Sequence, residues 1–132
     1  MAVLIDTSVI VDAERRGGTR LRAVTGGEDR AISVVTASEL LHGVHRAADA
    51  TVRMRRLSYV ERVIERLEPL PISMHVARAH AEIWARLEAD GALIGAHDLW
   101  IAATALAHGM PVVTLNARHF ERVPGLQVLA VP

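Results

Sequence analysis

Three carboxylates, Asp6, Glu39 and Asp98, stand where apolar runs give way to helix starts: Leu4-Ile5-Asp6-Thr7-Ser8, Val34-Val35-Thr36-Ala37-Ser38-Glu39-Leu40 and Ile94-Gly95-Ala96-His97-Asp98-Leu99. If those helices flank a parallel sheet, all three acids reach one edge. Each acid also has a structural role open to it. Asp6 can cap the helix that follows, Thr36-Ala37-Ser38-Glu39 has the form of a capping box, and the helix dipole favours Asp98 in a first turn. Capping accounts for three helix starts but not for their convergence. Two like charges about 4 Å apart repel by about 4 kcal/mol at an effective dielectric of about 20, so a convergent set retains a proton or binds a cation. With no cysteine in the chain, oxygen ligation suits a hard divalent ion, Mg²⁺ or Mn²⁺, which keeps several waters and pairs with substrate phosphates.

The elements that must position these acids alternate. Ala2-Val3-Leu4-Ile5 is too short for a helix and apolar throughout, the pattern of a strand buried on both faces. Thr7-Ser8 opens a helix that runs to Arg15-Arg16 and stops at Gly17-Gly18, and a loose segment leads to a turn at Gly26-Gly27. Ala31 to Val35 is the second strand, and Thr36 starts the next helix. A longer helix spans Ala50 to Leu67 with Leu57, Val60, Ile64 and Leu67 inward and arginines outward. Pro69 and Pro71 bracket a short edge strand. Ser73 to Ala89 is helical with Ala77, Ala81, Trp84 and Leu87 on one face, and Ala96 to His108 forms another helix closed by Gly109. Pro111 to Leu115 and Leu126 to Leu129 are strands, with Asn116 to Phe120 a loop or short helical turn between them. Such alternation implies a layered α/β fold with a mostly parallel sheet, whose crossover helices start at the carboxyl edge of the strands, where ligands bind. Asn116, just past a strand, belongs to the same edge.

The composition narrows the function classes. With 132 residues, 51% of them hydrophobic, residues 1–132 make one folded domain. No apolar stretch approaches the roughly 18 residues of a membrane span, and Asp6 interrupts the N-terminal run before it can act as a signal peptide, so a cytoplasmic protein is expected. Net charge is zero, so any nucleic-acid contact must be local. All fifteen basic residues are arginine, which favours bidentate phosphate contacts where they cluster. Aromatics at 3% leave little for a base-stacking platform. The chain carries no nucleophile elbow and no Walker loop.

The segments Leu4-Ile5-Asp6-Thr7-Ser8, Thr36 to Gly43, Ile94 to Ala105, Val113 to Phe120 and Val123-Pro124-Gly125-Leu126, in this order, resemble those of the PIN-domain ribonucleases and, within them, the VapC-type toxins of toxin–antitoxin pairs. The likeness runs nearly end to end. It implies a three-layer α/β/α PIN-like domain in which Asp6, Glu39 and Asp98 hold Mg²⁺ or Mn²⁺ for hydrolysis of RNA phosphodiester bonds. It also implies a cognate antitoxin that covers the acidic site, and a homodimer. Members often carry a fourth acid near the positions of Asn116 and His119; neither is acidic here. Asn116 is then the catalytic candidate beside the three acids, with hydroxyls of Ser8 or Thr114 as alternatives. A bound metal lowers the pKa of its water and offsets charge on the phosphoryl oxygens, so no protein nucleophile is needed. The expected products are a 5′-phosphate and a 3′-hydroxyl.

Two other readings stay open at this level. One is a catalytically weak PIN-like module that binds RNA or a protein, motivated by the missing fourth acid. The other, a phospho-acceptor domain built on Asp6, needs a paired lysine that the chain lacks. His42 and His45, three apart on a helix, fit an ordinary surface role better than metal ligation, and His97 and His119 are second-rank site candidates. Arg53, Arg55, Arg56, Arg62 and Arg66 give one helix a basic face, with Arg62 and Glu65 spaced to pair; the face is either solvated or a surface for RNA or antitoxin. Arg15, Arg16, Arg20 and Arg22 lie near the first helix within reach of a substrate. Trp84 and Trp100 are core or dimer-interface anchors.

Overall fold

A computed structural model describes residues 2–132. Four short strands form one sheet in the order β2-β1-β3-β4, every neighbouring pair parallel. They are β1 (Ala2–Ile5), β2 (Asp29–Ala31), β3 (Val112–Thr114) and β4 (Val128–Ala130). The two central strands are the apolar runs of the sequence, and Leu4, Ile5, Val112 and Val113 are fully buried. Fully burying such side chains stabilises the fold by about 1.5–3 kcal/mol each.

Alternation along the strands separates two cores. Val3, Ile5 and Val113 pack with Val9 and Ile10 of α1 (Thr7–Arg16), Leu21 of α2 (Thr19–Thr25), Leu40 and Val44 of α3 (Val34–Arg46) and Val60 of α4 (Ala50–Leu67). Leu4 and Val112 point to the opposite face, against Val76, Ile83 and Leu87 of α5 (Met74–Ala89) and Leu99 to Ala105 of α6 (Ala96–His108). The result is a three-layer α/β/α domain. Phe120, fully buried in the second core, anchors the short α7 (Ala117–Phe120).

Several boundaries and faces differ from those read in the sequence. Residues 19–25 form α2 rather than a loose segment. The second strand ends at Ala31, and α3 begins at Val34 with Ser33 as its cap, the Ser33 hydroxyl accepting the Val35 N–H at 3.0 Å. The β-branched residues Ile32, Val34 and Val35 favour extended backbone, but the capping Ser33 hydroxyl and tertiary packing turn the segment into a helix start. β4 lies two residues later at its start than the run Leu126 to Leu129 suggests. Leu70 makes only an isolated bridge to Ser33. On α4, Leu57 is exposed and Val63 packs inward instead. On α5 the buried face is Val76, His80, Ile83 and Leu87, which leaves Trp84 49% exposed. Trp84 and Leu87 are three apart and cannot decide which stripe faces in; the sheet-facing aliphatics Val76 and Ile83 decide it.

Candidate active site

The acids arrive at one edge by three routes. Asp6 follows the last residue of β1, and its N–H donates to Val113 O of the neighbouring strand at 2.9 Å. Glu39 lies in the second turn of α3, because that helix starts earlier than the sequence suggests. Asp98 is in the first turn of α6, and His119 of α7, which follows the end of β3, stands 3.2 Å from it.

The capping roles open to Asp6 and Glu39 are not the ones they play. Asp6 occupies the N-cap position of α1 without a side-chain capping bond. Its Oδ2 accepts the Ser8 hydroxyl at 2.7 Å and the Thr114 hydroxyl at 2.8 Å. Both hydroxyls accept in turn: Ser8 from Leu115 N–H at 3.2 Å and Thr114 from Asn116 N–H at 2.8 Å. Asp6 is only 3% exposed. Burial pushes its carboxyl above the ordinary aspartate value, and the negative charge of Asp98 adds to the rise against the lowering by the two hydroxyls. That mutual repulsion places Asp98 within electrostatic reach of Asp6. Glu39 forms no capping box: Ser33 holds the cap, and Glu39 Oε1 accepts the Thr7 hydroxyl at 2.6 Å. Thr7 also stands 3.1 Å from the buried Thr36 hydroxyl, so the residue beside Asp6 ties α1 to α3.

Two histidines complete the edge. His97 Nδ1 stands 3.3 Å from Glu39 Oε2, joining α6 to α3, and His119 Nδ1 stands 3.2 Å from Asp98 Oδ2, joining α7 to α6. The residue types were visible in the sequence, but the cross-pairing was not, since His97 adjoins Asp98 in the chain and partners Glu39 instead. Asn116 lies on the same edge with an exposed side chain; its backbone N–H reaches Thr114 and its carbonyl accepts the His119 N–H at 3.1 Å. His42 and His45 are exposed on α3 and join none of this. Trp100, near Asp98 in sequence, turns into the other core side and stacks on His80 with ring centroids 3.4 Å apart.

The donor set suits a hard divalent cation. It is all oxygen apart from two imidazoles, and Asp6 is held in a state that a positive charge would relieve. The cage is not closed: among the described residues, no three histidine, aspartate or glutamate side chains stand close enough together to enclose an ion as they lie. Each acid has its own support: hydroxyls for Asp6, a hydroxyl with an imidazole for Glu39 and an imidazole for Asp98.

Comparison with known proteins agrees with this geometry. The family model for the PIN domain matches residues 3–126. A relative from Rickettsia bellii (strain RML369-C), "Ribonuclease VapC", is 36% identical over 132 residues, covering 100% of this chain and 98% of its own. The "tRNA(fMet)-specific endonuclease VapC" of Salmonella typhimurium is 37% identical over 97 residues, 74% of this chain and 71% of that protein. Among solved structures, DNA-bound VapBC from Salmonella typhimurium superimposes with a TM-score of 0.88 at 29% identity, covering 100% of this chain and 99% of the other. VapBC2 from Rickettsia felis, bound to a DNA fragment from its promoter, gives a TM-score of 0.87 at 27% identity over 98% of each chain. With its acids at the carboxyl edge of an all-parallel sheet and these likenesses along its whole length, the chain belongs to the PIN-domain family and to its VapC branch.

Proposed function

We propose that this chain is a divalent-cation-dependent endoribonuclease and the toxin of a two-protein module. The observation that carries the reading is the arrangement of Asp6, Glu39 and Asp98 around one sheet edge, with Asp6 buried under two hydroxyls and within the field of Asp98. The relatives named as ribonucleases and the neighbours solved as VapBC complexes support it, and they do not favour the binding-only alternative.

Asp6, Glu39 and Asp98 would hold Mg²⁺ or Mn²⁺, with Asn116 on the open side of the site. The bound cation supplies an acidified water and neutralises charge on the phosphoryl oxygens. The chain's own residues do the positioning. Ser8 and Thr114 fix one oxygen of Asp6; Thr7 holds one oxygen of Glu39 and His97 faces the other; His119 steadies Asp98. The RNA backbone approaches from solvent, since His97, Asn116 and His119 are exposed. A cognate antitoxin covers this edge in the resting module, and two copies of the chain pair, with the exposed Met74 and Trp84 of α5 supplying apolar area. Among the described residues no helix is long and apolar enough to cross a membrane, which accords with a cytoplasmic site of action.

Incubation of the purified protein with structured RNA tests the reading. Cleavage is expected with Mg²⁺ or Mn²⁺ and none with EDTA or in the Asp6→Ala and Asp98→Ala variants. Undiminished cleavage by those variants would refute it.

A further inference from the structure

Two cavities of about 740 and 500 Å³ lie side by side and share Glu14, Arg15, Arg56 and Tyr59 in their walls, so they form one open groove along α1, α3 and α4. Thr7, Glu39 and His97 stand at one end of it, on the acid edge, and Arg55 and Arg62 at the other. Five arginines line its length: Arg15, Arg46, Arg55, Arg56 and Arg62. In a chain of zero net charge this is a local concentration, and a cleft focuses such a field.

The state of these guanidiniums is informative. Arg56 is engaged, 3.8 Å from Glu14 and donating to Gly43 O at 3.4 Å. Arg15, Arg46, Arg55 and Arg62 make no hydrogen bond or ion pair with the described residues; Arg62 does not pair with Glu65. Elsewhere Arg20, Arg53, Arg86 and Arg122 are each held by a protein oxygen, and Arg22, Arg66, Arg78 and Arg118 make no such bond with the described residues but lie outside the groove; what sets the groove apart is that its free guanidiniums stand together. Four free planar forks in one groove match the geometry of phosphate oxygens. Arg46 lies seven residues after Glu39 on the same helix, about 10 Å along its axis. The Tyr59 hydroxyl donates to Ile10 O at 3.0 Å, which fixes its ring in the wall shared by the two cavities.

We propose that this groove is the track for the RNA backbone on one side of the scissile bond, with phosphates against Arg46 and Arg15 and then Arg55 and Arg62. The inference rests on the ribonuclease reading above and names the surface that delivers the substrate. A phosphodiester following the groove arrives at Asp6, Glu39 and Asp98, the residues that would hold the cation. An acidic peptide in the same groove would carry its own carboxylates into Glu39 with no such use for the site.

The test uses the full chain in EDTA, so that nothing is cleaved, and a fluorescein-labelled single-stranded oligoribonucleotide followed by anisotropy over a range of salt concentrations. Each phosphate contact contributes about 0.7 to the slope of log affinity against log salt for single strands, so four give about 2.8. Arg46→Gln, Arg55→Gln and Arg62→Gln each flatten the slope by about 0.7 and raise KM once Mg²⁺ is restored. Arg66→Gln and Arg78→Gln, exposed arginines outside the groove, leave the slope as it is. The proposal is overturned if the groove variants keep the wild-type slope, if Arg66→Gln and Arg78→Gln flatten it equally, or if the groove variants lose only an acidic protein partner while RNA binding stays. Groove-dependent RNA binding with no cleavage in any divalent ion would sink the ribonuclease reading and leave the track standing. Cleavage with unaltered binding and KM in the groove variants would sink the track alone.

Discussion

Replacing Thr114 by Val should unfold this domain about 10 °C early while leaving its shape intact. Thr114 is fully buried, and its hydroxyl both donates to Asp6 Oδ2 at 2.8 Å and accepts the Asn116 N–H at 2.8 Å. A hydrogen bond to a charged group is worth about 1.5–3 kcal/mol net, and the second, neutral bond adds about 1 kcal/mol, so the loss is about 3 kcal/mol. Unfolding entropy of about 2.1 cal/mol/K per residue gives about 0.28 kcal/mol/K for this chain, which converts the loss to the stated shift in Tm. The assay is thermal unfolding at neutral pH in EDTA, followed by circular dichroism. The deficit should shrink as pH falls and Asp6 takes up its proton, because the hydroxyl then no longer serves a carboxylate. It should also shrink by about 1 kcal/mol when measured in an Asp6→Asn background, since the pair shares one interaction. A Thr114→Val protein that melts within about 2 °C of wild type, well inside the expected shift, would refute the claim that this hydroxyl holds the buried acid.

Three further outcomes follow from the same contacts. His97→Ala and His119→Ala should each weaken Mn²⁺ binding about 10- to 100-fold, the usual cost of losing a group that orients a ligating carboxylate, whereas His42→Ala should not; calorimetric titration in the absence of RNA reads this directly. Asp6→Asn should be more stable than wild type at neutral pH without metal. The Asp6 carboxyl is raised in the folded state, so its stabilising protonation is complete below the ordinary aspartate value and lost as pH rises through the folded one; the variant's advantage is therefore greatest near neutrality and vanishes in acid. Ser33→Ala should cost about 1 kcal/mol of stability and Glu39→Gln should leave the α3 start unchanged, because Ser33 and not Glu39 holds the cap.

The site was legible in the sequence to the extent that it depends on chain order. Asp6 after β1, Asp98 at the start of α6 and Asn116 after β3 are consequences of a parallel sheet with returning helices, and those positions stand. Glu39 reached the same edge from a different register than its apparent capping box implied. The strand-like residues Val34 and Val35 are β-branched yet helical, and only the Ser33 hydroxyl and the packing of Val35 on the core settle the matter. The pairing of His97 with Glu39 was not legible, because it joins residues on two helices whose spacing no local pattern encodes. The buried face of α5 was misjudged for a related reason: Trp84 is the largest side chain of the helix, but His80 stacked on Trp100 and Ile83 packed in the core with the sheet take the inside. Of the groove arginines, Arg55, Arg56 and Arg62 could be read as part of a basic helix from spacing alone and Arg15 as lying near the first helix; that Arg46 of α3 joins them, and that four of the five lack partners among the described residues, are properties of the folded chain.

The central claim is that Asp6, Glu39 and Asp98 act together on one divalent cation. Titration of Mn²⁺ into the metal-free protein by calorimetry tests it most directly. Saturable binding by the wild type is expected, and it disappears in both Asp6→Ala and Asp98→Ala with each variant still folded. Wild-type binding that survives in either variant, or a folded wild-type protein that takes up no cation, would contradict it.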